Sequence, residues 1–206
     1  NLDLCDIKQV CSITKNLEGD EMINIKSMIE HTRLFSDDGY TLHNTEIMRD
    51  ALKLSKELNF KVLTHCQPEF EIVERDLKLL EEVGGNLHIC HISLKETLDE
   101  IKKYKDRGYK FTCEVGPHHI YGYGLDYKVN PSFAEEEDMK YLIQGIKDGY
   151  IDMIGTDHAP HTQEDKENGA PGISNIEVAF QMVNKVFSEN QISLNKLSEM
   201  MSANPA

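Results

Sequence analysis

Short apolar runs alternate along the whole chain with longer charged segments that have the periodicity of an amphipathic helix. The apolar runs are QVCSIT (9–14), RLFS (33–36), KVLTHC (61–66), LHICHIS (87–93), YKFTCEV (109–115) and IDMIGTD (151–157). The helical segments lie near residues 20–30, 44–58, 69–83, 95–107, 135–148, 175–188 and 193–202. Apolar strands alternating with helices predict βα units and a parallel sheet. Six such units leave two architectures open, a (β/α)8 barrel and a doubly wound sheet.

Polar side chains at the ends of the predicted strands favour the barrel. These residues are Asp37, Asp38, His65, His91, Asp157 and His158. In a barrel the carboxyl ends of all strands converge on one face, and that face carries the active site. In an open sheet the same residues would be spread along a crevice. The sequence therefore predicts an α/β fold of the (β/α)8 TIM type.

The composition narrows the classes of partner. The 206 residues carry a formal net charge of −14, which repels nucleic acid and anionic membrane surfaces. The five cysteines are odd in number and widely spaced, which indicates reduced thiols and a cytoplasmic protein rather than a disulfide framework. The chain begins with Asn1, without an initiator Met or a signal peptide, so we expect it to be a piece of something longer.

Taken one at a time, the polar motifs have ordinary structural explanations. SDDG (36–39) is typical of a turn, and THC (64–66) is typical of a hydrogen-bonded core histidine. In HICHIS (88–93), strand alternation places His88 and His91 on opposite faces, so we interpret His88 as structural. PHH (117–119) leaves both interpretations open.

Taken together, the motifs predict a metal site. An acid, two histidines and a second acid, each at the end of a different strand, are the ligand types that zinc prefers. Zinc lowers the pKa of a bound water to about 7 and so makes it a nucleophile. Asp157 is placed to accept a proton and to pass it to a leaving nitrogen.

The motifs resemble those of the amidohydrolase superfamily and, within it, of the bacterial dihydroorotase family whose metals are bridged by an aspartate. The resemblance rests on FSDDGYTLHNTEIM (35–48), THC (64–66), HICHIS (88–93), EVGPHHI (114–120), KVNPS (128–132), GTDHAPHT (155–162) and APGISNIE (170–177). It extends to ITKNLEGDEM (13–22) and NPA (204–206), so it covers nearly the whole chain. FSDDG and TDHAPHT in this order are specific.

The resemblance implies a site with two zinc ions and assigns residues to it. The metal ligands would be Asp38, His65, His91 and Asp157, with Asp38 chosen over Asp37 as the bridging group. Asp157 would be the catalytic acid and base, and Asn130, His161, Pro171 and Gly172 would contact the substrate. His158 and His118 also match family positions, but we do not assign them to metal.

The implied reaction is the reversible closure of N-carbamoyl-L-aspartate to L-dihydroorotate in pyrimidine synthesis. The family's first metal motif, His-x-His-x-Arg, is absent, and so are the first strands and the last part of the family chain. Residues 1–206 are therefore expected to form a partial barrel domain, about strands 3 to 8, that holds one zinc or none and is inactive alone. Loops near Gln67–Pro68, Tyr123–Gly124 and Asn168–Gly169 are shorter than in the family, and we expect residues to be missing there from the given sequence.

Two alternatives remain. Hydantoinases and allantoinases belong to the same superfamily but typically bridge their metals with a carboxylated lysine, and no lysine follows the strand that ends at Ser36. A non-catalytic homologue could instead act as a structural partner of another pyrimidine enzyme, although such homologues usually lose metal ligands. The expected partner is a small-molecule substrate, and the assembly is either a homodimer or an association with another pyrimidine enzyme.

Overall fold

Parallel strands followed by helices make up both compact units of the protein. A computed structural model describes residues 7–206. The first unit ends at Ile89, and the second runs from Cys90 to Ala206. Within the described residues, no helix is long and apolar enough to cross a membrane.

The first unit contains three parallel strands. Its elements are a 3-10 helix (Lys15–Leu17), α1 (Ile25–Met28), β1 (Leu34–Phe35), α2 (Thr45–Leu58), β2 (Lys61–Thr64), α3 (Glu69–Val83) and β3 (Leu87–Ile89). β2 pairs with β1 on one side and with β3 on the other, both in parallel. Cys11 forms one further parallel bridge to Phe35. The carboxyl ends of these strands therefore point the same way.

Helix α2 shows how the sequence sets an element of this unit. The Asn44 side chain accepts hydrogen bonds from the backbone N–H groups of Glu46 and Ile47 and so caps the start of the helix. The helix ends where Asn59 adopts a left-handed conformation, which asparagine tolerates better than most residues. Its buried face includes Leu52, which has no exposed surface.

The second unit contains two parallel strands and most of the helices around them. Its elements are α4 (Lys95–Asp106), β4 (Thr112–Val115), α5 (Pro117–Tyr121), α6 (Glu136–Asp148), β5 (Met153–Ile154), α7 (Gln163–Glu167), α8 (Ala179–Glu189), α9 (Leu194–Ser198) and a π-helical turn (Glu199–Ala203). β4 and β5 pair in parallel, with Glu114 opposite Met153. Helices α4 and α6 pack against each other.

The helices predicted near 44–58, 69–83, 95–107 and 135–148 are confirmed by α2, α3, α4 and α6. The helix predicted near 20–30 is reduced to the four residues of α1. After α1, the Thr32 hydroxyl donates to Gln9 O and accepts from Leu34 N at the start of β1. The run 9–14 forms only isolated bridges. The last predicted helix, 193–202, divides into α9 and the π-helical turn.

Gly85 provides a test of the packing between α2 and the start of β3. Its φ of 129° suits glycine alone, and a Cβ there would lie 2.7 Å from Leu52 O and 2.9 Å from Ser55 Oγ. Gly85→Ala should lower the free energy of unfolding by about 2–3 kcal/mol, because it adds a clash with backbone to the conformational strain. Gly108→Ala is the control, since φ there is 91° but no atom of residues 7–206 would lie within 4 Å of the added Cβ. If urea titrations showed the same loss of unfolding free energy in both variants, a clash at Gly85 would not be the cause.

Candidate metal and catalytic site

The two adjacent aspartates after β1 have different surroundings. Asp37 is 3% exposed. Its Oδ1 accepts hydrogen bonds of 2.8 Å from the backbone N–H groups of both Ile13 and Thr14. Its Oδ2 accepts a bond of 2.5 Å from the Thr14 hydroxyl. The Asp37 carboxylate thus connects residues 13–14 to the end of β1 through hydrogen bonds.

Asp38 is oriented differently and lies beside His65. The Asp38 side chain is 85% exposed, and its Oδ1 lies 3.6 Å from Nε2 of His65, whose side chain is 16% exposed. Two ligands of one tetrahedral zinc ion lie about 3.4 Å apart, given metal–ligand distances of about 2.0–2.2 Å. A carboxylate oxygen and an imidazole nitrogen at the 3.6 Å separation of Asp38 and His65 are compatible in distance with one shared metal ion.

A buried charge network anchors the end of β2 next to His65. The Thr64 hydroxyl donates to Asp76 Oδ2 at 2.8 Å. Arg75 donates to Asp76 Oδ1 through Nε and Nη2, at 2.9 and 2.7 Å, and through Nη1 to Leu42 O. Burial raises the pKa of Asp76, and the Arg75 charge opposes that shift. These contacts fix the backbone from which the His65 ring projects.

His91 and Asp157 share an unusual backbone conformation. His91 has φ of 35° and Asp157 has φ of 48°, both in the left-handed region. A non-glycine residue held there costs about 1–3 kcal/mol, and such residues cluster at functional sites. Asp157 lies in the loop after β5, which ends at Ile154. The two residues predicted as ligands in the second unit are therefore held by the fold in costly conformations.

The predicted substrate residues of the second unit surround the loop after β5. Gly172 N donates to Lys128 O at 3.1 Å, which brings Gly172 beside the segment that leads to Asn130. A Cβ on Gly172 would lie 3.0 Å from His161 Cδ2 and 2.5 Å from Ala159 O, so only glycine fits there. Asn130, His161 and Pro171 are exposed, and Asn130 precedes Pro131 through a cis peptide bond.

One ring nitrogen of His158 is hydrogen-bonded to the backbone of a neighbouring segment. Its Nδ1 accepts hydrogen bonds from the backbone N–H groups of Asn175 and Ile176, at 3.1 and 3.2 Å. In the neutral ring Nε2 then carries the proton and is a donor, with no lone pair for a metal. This geometry supports leaving His158 out of the metal ligands.

The ambiguous PHH motif forms a buried pair of neutral rings. His118 is 1% exposed and His119 is 3% exposed, with ring centroids 4.1 Å apart. Burial lowers the pKa of His118 to about 3 and that of His119 to about 4. His119 Nε2 lies 3.1 Å from Pro131 O and donates to it in the neutral ring. The pair therefore packs α5 against the segment around Pro131.

Two contributors to this region escaped the sequence analysis. The Lys166 ammonium donates to the carbonyl oxygens of Lys128, Ala170 and Gly172, at 2.7, 3.0 and 2.9 Å. Asn175 is 2% exposed and donates through Nδ2 to Thr156 O at 2.8 Å. Neither residue falls at a strand end, which was the signal used to find site residues.

Sequence comparison identifies the family. No protein-family model matches the chain. The dihydroorotase of Clostridium botulinum (strain Eklund 17B / Type B) is 42% identical over 224 residues, covering 100% of this chain and 56% of the relative. The chain belongs to the dihydroorotase family. The dihydroorotase of Aquifex aeolicus (strain VF5) is 33% identical, covering 100% of this chain and 58% of the relative.

This dihydroorotase-family chain spans about half the length of the curated relatives it matches. The alignment with the Clostridium protein runs over 224 positions for the 206 residues here, so that relative carries additional residues within the matched region. Loops that are shorter in this chain than in the Clostridium protein would produce such a difference in length.

Structure comparison shows the fold. The L-hydantoinase (dihydropyrimidinase) from Arthrobacter aurescens superposes with a TM-score of 0.84, covering 98% of this chain and 55% of that protein. The sequence identity is 21%, so the likeness concerns the fold alone. The fold is that of an amidohydrolase TIM-type barrel, and the chain contains part of it. The predicted fold class is confirmed.

The two aspartates allow a matched test. Asp37→Asn should lower the free energy of unfolding by about 2–3 kcal/mol, because the amide replaces one acceptor of a buried, fully bonded carboxylate with a donor. Asp38→Asn should change it by less than about 0.5 kcal/mol, because that side chain is exposed. Urea denaturation without metal measures both. A larger loss of unfolding free energy in Asp38→Asn than in Asp37→Asn would mean that Asp38, and not Asp37, has the structural role.

Proposed function

We propose that the protein carrying this chain is a zinc-dependent dihydroorotase. It would catalyse the reversible interconversion of N-carbamoyl-L-aspartate and L-dihydroorotate in pyrimidine synthesis. The observation that supports this most directly is 42% identity to a dihydroorotase along the entire chain. The motif positions support it too, since an acid or histidine follows each strand where the family resemblance requires one. Residues 1–206 would be part of one barrel domain.

The chain's donor set suits zinc. Asp38, His65, His91 and Asp157 would supply carboxylate and imidazole ligands, and the 3.6 Å separation of Asp38 Oδ1 and His65 Nε2 fits a shared ion. Zinc, when bound, supplies Lewis acidity that polarises a carbonyl and lowers the pKa of water. In the intact protein two zinc ions are proposed, with the remaining ligands outside this chain.

Asp157 would move the proton in both directions of the reaction. In ring opening, its carboxylate accepts a proton from the water that attacks the ring amide carbonyl. The protonated side chain then donates that proton to the ring nitrogen as the C–N bond breaks. In ring closure the same proton moves back. The left-handed backbone at Asp157 supports this role, because such conformations cluster at functional sites.

The substrate would be held beside Asp157 by Asn130, His161, Pro171 and Gly172. His161 lies against Gly172, and the Gly172 N–H is hydrogen-bonded to Lys128 O, so these residues form one local wall in the second unit. Exposed side chains on this wall are available to a ligand that enters from solvent. The proposed partner is therefore a small molecule, and the proposed location is the cytoplasm.

Two other functions have weaker support. For a hydantoinase or allantoinase, the structural likeness amounts to 21% identity, and the segment that would carry a bridging lysine reads FSDDGY. For a non-catalytic homologue, loss of ligands would be expected, yet Asp38, His65, His91 and Asp157 are all present. A homodimer and an association with another pyrimidine enzyme both stay open as assemblies.

The proposal is tested by assay of the full-length protein with zinc supplied. We expect interconversion of carbamoyl-aspartate and dihydroorotate. Asp157→Asn should lower kcat by at least about 10²–10⁴-fold, because a positioned proton-transfer group contributes that much. Asp148→Asn, at the exposed end of α6, is the control and should keep the wild-type rate. Activity on hydantoin or allantoin without activity on dihydroorotate would reject the assignment.

Zinc content tests the ligand set separately from turnover. The full-length protein should bind two zinc ions per chain, and residues 1–206 alone should bind one at most, because the first metal motif of the family is not in this sequence. His65→Ala should reduce the content further, whereas His43→Ala, an exposed histidine of the same unit, should not. Two tightly bound zinc ions on residues 1–206, measured by elemental analysis after dialysis, would refute the expected division of ligands.

A further inference from the structure

Asn175 contacts the chain on both sides of Asp157. Its Nδ2 donates to Thr156 O at 2.8 Å, and Thr156 immediately precedes Asp157. Its backbone N–H donates to Nδ1 of His158 at 3.1 Å, and His158 immediately follows Asp157. One residue thus holds both neighbours of the proposed proton-transfer group. No role is predicted for Asn175 from the sequence alone.

The conformation of Asp157 needs such support. With φ of 48°, its backbone lies in a region that costs a non-glycine residue about 1–3 kcal/mol. A residue stays there only when its surroundings over-determine its position. The next support along the loop is the Ala159 N–H bond to Ile173 O at 3.0 Å, and His158 bridges to Ile173. Around the turn itself, Thr156 O accepts from Asn175 Nδ2, and His158 Nδ1 accepts from the backbone N–H groups of Asn175 and Ile176.

The amide of Asn175 has one workable orientation. Nδ2 must face Thr156 O, because the opposite orientation would set two carbonyl oxygens against each other. The second Nδ2 hydrogen points toward Nδ1 of His118, at 3.4 Å. Among the described residues, Oδ1 has no hydrogen-bond partner.

The bond to Thr156 O is what the Asn175 side chain contributes at this turn. An apolar side chain of similar size would lose that bond, whereas the backbone N–H bond to His158 would remain. The side-chain amide therefore acts on the residue that immediately precedes Asp157.

We propose that Asn175 is a positioning residue for Asp157, holding the turn Thr156–His158 so that the Asp157 carboxylate faces the reacting atoms. The role rests on the proposed function, because Asp157 must be the proton-transfer group. Asn175 itself touches neither substrate nor metal in this account. It acts through the two hydrogen bonds to the residues that flank Asp157.

The first experiment measures kcat and KM for dihydroorotate in the zinc-loaded full-length protein. Asn175→Ala removes the side-chain bond, and Asn175→Asp keeps the shape but places an acceptor against Thr156 O. Both should lower kcat about 10- to 100-fold, because a misplacement of about 1 Å has an effect of that size. KM should change less than about threefold, since the substrate wall is intact. Zinc content should match the wild type.

Asn204→Ala is the matched control. Asn204 Nδ2 donates to Asp152 O at 2.6 Å, the same kind of amide-to-carbonyl bond, but at the opposite end of β5 from Asp157. Its removal should leave kcat within about twofold of the wild type. A loss of kcat in Asn204→Ala as large as in the Asn175 variants would mean that any weakening of β5 lowers activity, and it would overturn the proposal.

The second experiment separates positioning from general support of the fold. In an Asp157→Asn background, measured at high enzyme concentration, Asn175→Ala should lower the residual rate by less than about twofold, because the group it positions is already gone. A structural role would lower the rate by the same factor in both backgrounds, and that result would reject positioning. Failure of both Asn175 variants to fold, seen by circular dichroism, would also reject it. A wild-type protein without activity on dihydroorotate would instead remove the proposed function.

Discussion

The candidate site of the second unit depends on the left-handed backbone at Asp157, in the loop that follows β5 (Met153–Ile154). Extended backbone does not continue through φ of 48°, so the chain turns at this residue. Around the turn, the N–H groups of Asn175 and Ile176 donate to His158 Nδ1 and the Ala159 N–H donates to Ile173 O, so these backbone groups are hydrogen-bonded. His91, with φ of 35°, has the same left-handed backbone after β3. Both predicted metal ligands of this unit, His91 and Asp157, therefore have a strained backbone conformation.

Much of the fold could be predicted, because it follows from periodicity. The four long helices α2, α3, α4 and α6 each have a buried stripe that recurs at helical spacing, and their bounds agree with the sequence to within a residue or two. The short elements could not be placed. Residues 20–30 have helical character, but the Thr32 hydroxyl bonds to Gln9, 23 positions away, and only a folded chain brings that partner near. Tertiary contacts decide such segments, and propensity does not.

For the candidate site, position at a strand end selected Asp37, Asp38, His65, His91, Asp157 and His158 from the sequence. It could not separate neighbours of the same type. Asp37 and Asp38 are identical in chemistry and adjacent in sequence. What separates them is that Asp37 meets the N–H groups of Ile13 and Thr14, and Asp38 meets His65. Likewise, the roles of His118, His119 and His158 depend on burial and on which ring nitrogen is bonded, and neither is visible in a motif.

The buried polar groups of the second unit also limit how the site can respond to acid. Burial lowers the pKa values of His118 and His119 to about 3 and about 4, so both rings remain neutral in the folded protein well below their ordinary value of 6.5. The unfolded chain binds those protons near pH 6.5, so folding loses stability as pH falls from there toward 4, and the loss levels off only below the folded values. His118 Nδ1 lies 3.4 Å from Asn175 Nδ2, so a protonated His118 would present a donor to a donor. The neutral histidine pair and the amide beside Asp157 are thus parts of one arrangement, which holds only while both imidazoles stay uncharged.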